Sequence, residues 1–268
     1  MGFLVLLLLC AAGLGAAFER QQLWPYGVVL YKFHRSFADS SMRREVLRIF
    51  AQIQENTCVR FVAVNGHENA PKYALIKNSP SHCSSHVGRQ VWDSRRWQDV
   101  QLPYWCVRRS GAVAHETLHL LGLGHEHSRL DRDRYVRVLL ENVEVEKRYT
   151  FQVDADALST DGRPSAVPYD FDSVLHYGPY DFALRHNAPT IRSRVSAFSV
   201  HENAALSPLD AIKVNTAYGC RQQLKEATRS CRDLLQGCRV VSALHCLTSA
   251  YTRSVCARRC RSCVVVEP

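Results

Sequence analysis

The run His115-Glu116-Thr117-Leu118-His119-Leu120-Leu121-Gly122-Leu123-Gly124-His125 constrains this chain more than any other stretch. His115 and His119 are four residues apart, so on a helix both imidazoles project from one face, one turn apart, and can share a metal ion. Glu116 follows the first histidine and can reach a water beside the metal without being a ligand itself. Gly122 can end the helix in a left-handed conformation that residues with a Cβ resist. The chain then turns back, and His125 can bring a third nitrogen to the same ion. Three protein ligands leave one zinc position open, which is the catalytic rather than the structural arrangement. A core helix with satisfied histidines and a capping glycine is the bland alternative, but it does not account for five positions in mechanistic order. Val113, Ala114, Leu118 and Leu121 are apolar, as expected of a buried helix that turns its polar groups toward a cleft.

Further motifs follow. The run continues Glu126-His127-Ser128-Arg129-Leu130-Asp131-Arg132-Asp133-Arg134-Tyr135-Val136, and later comes Ser173-Val174-Leu175-His176-Tyr177-Gly178. Leu23-Trp24-Pro25-Tyr26-Gly27-Val28 stands early, and Pro168-Tyr169-Asp170-Phe171-Asp172 precedes the second motif. Leu206-Ser207-Pro208-Leu209-Asp210 and Asn215-Thr216-Ala217-Tyr218-Gly219-Cys220 close the stretch. Together these resemble the astacin family of metzincin endopeptidases over about residues 20–220.

That resemblance implies a two-lobed metzincin shape with the cleft between lobes. Read from the residues alone, strands before helices give an α+β chain. The resemblance also implies one zinc on His115, His119 and His125, with Glu116 as general base. It makes Tyr177 a residue that can ligate resting zinc and then stabilise the transition state. Glu126 is implied to be buried and tied to the mature N-terminus, a structural role. His127 is not expected to be a ligand. Leu175 stands where the family has a methionine that floors the zinc imidazoles. Leucine has similar volume, and such a swap usually costs less than about 1.5 kcal/mol, so metal binding is expected to survive.

The 268 residues and 46% hydrophobic content allow a core of about 200 residues plus a small appendage. The apolar run from Phe3 to Ala17 is too short to span a bilayer and ends in small residues. Residues 1–17 therefore read as a secretory signal, although Lys and Arg are missing before the run. No later segment is long and apolar enough for a transmembrane helix. Astacins usually carry a propeptide, and here only a few residues separate the leader from Leu23. Either leader cleavage yields the active enzyme directly, or a propeptide segment is missing from this sequence.

Cysteine usage agrees with an oxidising compartment. Of 11 cysteines, Cys10 falls in the leader, which leaves an even number. Cys58, Cys83, Cys106 and Cys220 are dispersed through residues 18–220, and spacing alone allows three connectivities. The astacin resemblance implies Cys58–Cys220 and Cys83–Cys106. Cys231, Cys238, Cys246, Cys256, Cys260 and Cys263 crowd into residues 231–263 beyond a linker at 221–230. A segment this short needs covalent staples. Its ending Cys256-x₃-Cys260-x₂-Cys263, with Asp233 behind the first cysteine, resembles the ShK-type module. That likeness implies Cys231–Cys263, Cys238–Cys256 and Cys246–Cys260. Channel block does not follow, because Tyr251 lacks the lysine beside it that such toxins use.

Charge is uneven. Residues 221–268 hold nine Lys or Arg and three acids, a net of +6 out of the chain's +9. Such a tail suggests attraction to acidic glycan, matrix or cell surface; the bland reading is a solvated face. Nucleic acid is not an expected partner outside the cell. The expected function is thus a secreted zinc endopeptidase acting on extracellular proteins. The alternative is a non-catalytic binding protein that keeps the scaffold and uses the basic tail, and intact Glu116, Tyr177 and all three histidines favour the enzyme.

Periodicity predicts an amphipathic helix within Ser41–Glu55, strands at Cys58–Val64 and Tyr73–Ile76, and weaker strands at Gln90–Trp92 and Val100–Leu102. A metal-bearing helix is predicted near 109–121 and another near Pro208–Tyr218.

Overall fold

The computed structural model describes residues 23–64, 72–80, 82–91, 94–109, 111–154, 167–196 and 198–220, with Arg258 and Cys260 in the tail. The leader expected at 1–17, the linker expected at 221–230 and the pairing expected of the six tail cysteines lie outside the described residues, although Cys260 takes part in a disulfide.

Strand β1 (Val28–Phe33) leads to helix α1 (Ser40–Asn56). Asp39 caps that helix, its carboxylate accepting from the backbone N–H of Ser41 at 2.6 Å and of Met42 at 3.3 Å. Met42, Val46, Ile49, Phe50 and Ile53 recur at helical spacing and are buried. Strands β2 (Arg60–Ala63), β3 (Tyr73–Lys77), β4 (Ser84–Ser85) and β5 (Trp97–Gln101) follow. They form a sheet in the order β2-β1-β3-β5-β4, parallel except for the antiparallel edge strand β4. Alternate residues of β1, β3 and β5 turn inward, so Val29, Ala74, Ile76 and Val100 join the α1 side chains in one core.

A single helical turn, α2 (Tyr104–Val107), precedes α3 (Ala112–Leu120), the helix of the histidine motif. Its Val113, Ala114, Leu118 and Leu120 are buried in the same core. Gly111, with φ of 82°, caps its start; a Cβ there would lie 2.6 Å from the carbonyl oxygen of Asn203, so only glycine fits. Beyond α3 the chain builds a second, smaller core around Val136, Val143, Phe151, Tyr169, Phe171 and Ile191. The antiparallel pair β6 (Val136–Val138) and β7 (Ile191–Ser193) belongs to it. Helix α4 (Pro208–Ala217) then returns to the first core through Val214 and Tyr218. Its capping box joins Ser207 and Asp210, each side chain bonded to the other's backbone N–H. The result is the expected α+β, two-lobed zincin-like architecture.

Two disulfides lie within the described residues. Cys58–Cys220 ties the chain entering β2 to the end of α4, and Cys83–Cys106 ties the approach to β4 to α2. Among the described residues no helix is long and apolar enough to cross a membrane.

One predicted strand is absent. Residues 90 and 91 form no strand, and Trp92 lies outside the described residues. Gln98 explains this: its Oε1 accepts from the Gln90 backbone N–H at 2.9 Å and its Nε2 donates to the Gly88 carbonyl at 2.8 Å. A buried side chain thus takes the backbone groups that a neighbouring strand would have used. The strand predicted at Val100–Leu102 starts earlier, at Trp97, because it pairs with the whole of β3.

Candidate metal centre

Helix α3 stops where the sequence predicts. Gly122 takes a φ of 100°, its N–H donates to the His119 carbonyl at 2.8 Å, and the Leu123 N–H reaches back to the Leu118 carbonyl at 3.1 Å. This turn brings His125 back beside the two helical histidines. The Nε2 atom of His119 lies 3.0 Å from that of His115 and 3.2 Å from that of His125. Ligand nitrogens about 2.0–2.1 Å from one tetrahedral zinc stand roughly 3.3 Å apart, so this donor set fits such an ion. Among the described residues it is the only group of three His, Cys, Asp or Glu side chains so arranged.

Two rings are fixed from behind. His115 Nδ1–H donates to the Val174 carbonyl at 2.7 Å and His119 Nδ1–H to the Leu123 carbonyl at 2.8 Å, which leaves each Nε2 lone pair free for a metal. Burial holds the imidazoles neutral, the form a ligand needs: His115 is lowered, His119 is pushed down to about 3, and His125 falls well below its ordinary value.

Glu116 is buried beside them. Desolvation pushes its carboxyl up to about 8, opposed by a hydrogen bond from the Ser85 backbone N–H. Its Oε1 also lies 3.6 Å from the Cys83 sulfur. Tyr177 packs its ring 4.7 Å from that of His125 and 3.9 Å from that of His127. Burial pushes its hydroxyl up to about 12, with a side-chain hydrogen bond to Thr150 working against this.

The floor is the segment 173–176. Leu175 is fully buried in the main core, and its carbonyl accepts from the Glu126 N–H at 3.1 Å. The Glu126 carboxylate is itself buried, and both of its oxygens accept hydrogen bonds. Its Oε1 accepts from Arg129 Nη1 at 2.9 Å and the Asp170 N–H at 2.8 Å, and its Oε2 from Lys213 Nζ at 2.6 Å. His127 is turned away, its Nε2 near the Thr150 carbonyl at 3.1 Å.

His115, Glu116, His119, His125 and Tyr177 open on a cleft of about 570 Å³. Its further lining includes Trp105, Tyr149, Phe182, Arg109 and Glu202, the last two 3.8 Å apart. Sequence reasoning missed these, since Trp105 sits in the single turn α2, Tyr149 in a short 3-10 segment and the others outside regular elements, none with a periodic signal. It also missed His176, whose Nδ1–H donates to the Tyr177 carbonyl at 2.6 Å while its Nε2 accepts from the Tyr169 hydroxyl at 2.8 Å.

A two-turn helix carrying two histidines, a glycine turn and a returning third histidine over a buried floor defines the zincin class of fold. The family model described as Astacin (Peptidase family M12A) matches residues 16–219. The chain belongs to the astacin family. It is 31% identical over 210 residues to the mouse (Mus musculus) astacin-like metalloendopeptidase, covering 76% of this chain and 45% of that protein. Over 208 residues it is 31% identical to the Caenorhabditis elegans zinc metalloproteinase nas-14, covering 77% and 39%. The chain thus spans less than half the length of these relatives. Among solved structures, its fold is similar to that of high choriolytic enzyme 1, a hatching-enzyme zinc protease of the medaka Oryzias latipes. The TM-score is 0.64 at 24% identity, over 75% of this chain and 96% of that one.

Proposed function

We propose that this chain is a secreted zinc endopeptidase that hydrolyses peptide bonds of extracellular proteins. The observation that carries the reading is the convergence of three neutral imidazole nitrogens beside the buried carboxyl of Glu116. Membership of a family of peptidases supports it. His115, His119 and His125 would hold the zinc. When bound, zinc supplies Lewis acidity and positive charge: it polarises a carbonyl and a water and draws the Glu116 carboxyl back toward the anionic form a base needs.

The chain's own groups do the rest. Glu116 takes a proton from the water as its oxygen attacks the scissile carbonyl carbon, and delivers that proton to the amide nitrogen as the C–N bond breaks. Tyr177, kept protonated by its raised pKa, donates a hydrogen bond to the oxyanion as it develops. Val174 and Leu123 hold the rings of His115 and His119 in one tautomer. Leu175 supplies an apolar floor.

Residues 1–17 are read as the signal, 18–220 as the peptidase domain, 221–230 as the linker and 231–263 as an ShK-type module with its three implied disulfides. The tail's net +6 suits an acidic glycan or matrix surface. The test is hydrolysis of a generic protein substrate by the purified chain, with and without a zinc chelator. Cleavage that chelation stops and added zinc restores is expected; cleavage indifferent to the chelator would overturn the reading.

A further inference from the structure

We propose that Lys213 is a positioning residue for the metal centre. Its ammonium, seated on Glu126, lets one face of α4 fix the loop that carries His125 against the floor that orients His115. The inference rests on the reading of these histidines as metal ligands and extends it to a helix that supplies no ligand.

A buried lysine needs a reason, because lysine is almost never fully buried unless paired. Lys213 is 6% exposed. Its Nζ donates to Glu126 Oε2 at 2.6 Å and lies 3.9 Å from a carboxylate oxygen of both Asp170 and Asp210. Arg129 does not duplicate it. That guanidinium sends Nη1 to Glu126 Oε1 and to the carbonyls of Val167 and Pro168, while Nε and Nη2 engage Asp131.

What Lys213 does follows from its neighbours on α4. One turn earlier, Asp210 accepts from the Ser173 hydroxyl at 2.6 Å and the Val174 N–H at 3.1 Å, and the Val174 carbonyl is the acceptor for His115. Just past the helix, the Tyr218 hydroxyl donates to the Leu121 carbonyl at 3.0 Å, beside the turn that follows His119. Lys213 stands between them and holds Glu126, whose side chain is the neighbour of His125 and whose N–H is bonded to the floor. Asp210, Lys213 and Tyr218 thus grip the three segments that carry or orient the three imidazoles. Without the ammonium, Glu126 Oε2 loses this donor in a site closed to water. Its carboxylate would have to move, and the His125 loop with it.

The test measures zinc affinity of the full chain by competition with a chelator, with folding followed by circular dichroism. Lys213→Met keeps the apolar stem and removes the charge. It is expected to weaken zinc binding ten- to a hundred-fold in folded protein, the range typical of residues that support metal ligands. Val214→Ala, a cavity in the same helix, is expected to lower the melting temperature and leave zinc affinity within twofold. Unchanged affinity in Lys213→Met, or an equal loss in Val214→Ala, would overturn the proposal. Should Lys213→Met fail to fold, the Glu126→Gln/Lys213→Met pair removes the stranded charge. It is expected to fold and still bind zinc at least tenfold more weakly; wild-type affinity there would also overturn it. Because the readout is metal binding, failure of the peptidase reading would show separately, as tight zinc without hydrolysis.

Discussion

The sulfur of Cys83 lies 3.6 Å from Glu116 Oε1, so the Cys83–Cys106 disulfide forms one wall of the pocket that holds this carboxyl. Having no hydrogen, the half-cystine cannot donate to the carboxylate. It contributes bulk and low polarity to the burial that raises the Glu116 pKa, while the Ser85 N–H, in β4 itself, bonds the carboxylate and works against that rise. Replacing both cysteines by alanine removes a crosslink over 23 residues of chain, worth about 3 kcal/mol of stability. The expected result, where the variant remains folded, is a kcat lowered more than zinc affinity. Loss of zinc with kcat per bound zinc unchanged would show that the disulfide serves the fold alone.

Glu116→Gln should abolish peptide hydrolysis while the chain keeps its zinc, since the base is lost and the three imidazoles are not. A fall of at least a thousandfold is expected, on the order of what general-base catalysis contributes. Metal content by elemental analysis is measured alongside. Activity within tenfold of the parent would remove Glu116 from its assigned role.

Tyr177→Phe should lower kcat more than it raises KM, because the hydroxyl is assigned to the transition state. Its ring contacts with His125 and His127 survive in phenylalanine, so the fold should be kept. A pure KM effect in steady-state kinetics would place Tyr177 in substrate binding instead.

Acid should destabilise the chain partly through His176. Burial pushes this imidazole down to about 4, below an unfolded value near 6.5. Below 6.5 the unfolded chain binds the extra proton, so the contribution of His176 is complete above that pH and is lost as pH falls through about 4. The effect is on the order of 3 kcal/mol. His176→Asn should flatten the dependence of melting temperature on pH between about 4 and 6.5; an unchanged slope would locate the acid sensitivity elsewhere.

The histidine motif was legible because its chemistry is local. Helix spacing fixes His115, Glu116 and His119, and the φ of 100° at Gly122 is what a helix-ending glycine in that place implies. The α1 helix was legible from its period, and the helix expected near Pro208–Tyr218 is α4. Strand β1, the second in sheet order and paired on both sides, was not. Its burial alternates over only part of its length, and its Tyr31 and Phe33 are aromatic neighbours of Phe50 and Phe37 that only the fold brings together. The Gln90–Trp92 expectation failed for a related reason: Gln98 satisfies that backbone from eight residues away. Lys213 reads in sequence as an ordinary helical lysine, because its partner Glu126 stands 87 positions earlier.

Gly111 sets the gape of the cleft. Where α3 begins, the larger lobe meets the Asn203 carbonyl of the opposite wall with room for a hydrogen atom and nothing more. Any side chain at this point would act as a wedge, prising the wall that bears Glu202 and Asn203 away from the metal helix. The spacing of these two walls at the start of the metal helix is therefore governed by the one residue type that contributes no side chain at all.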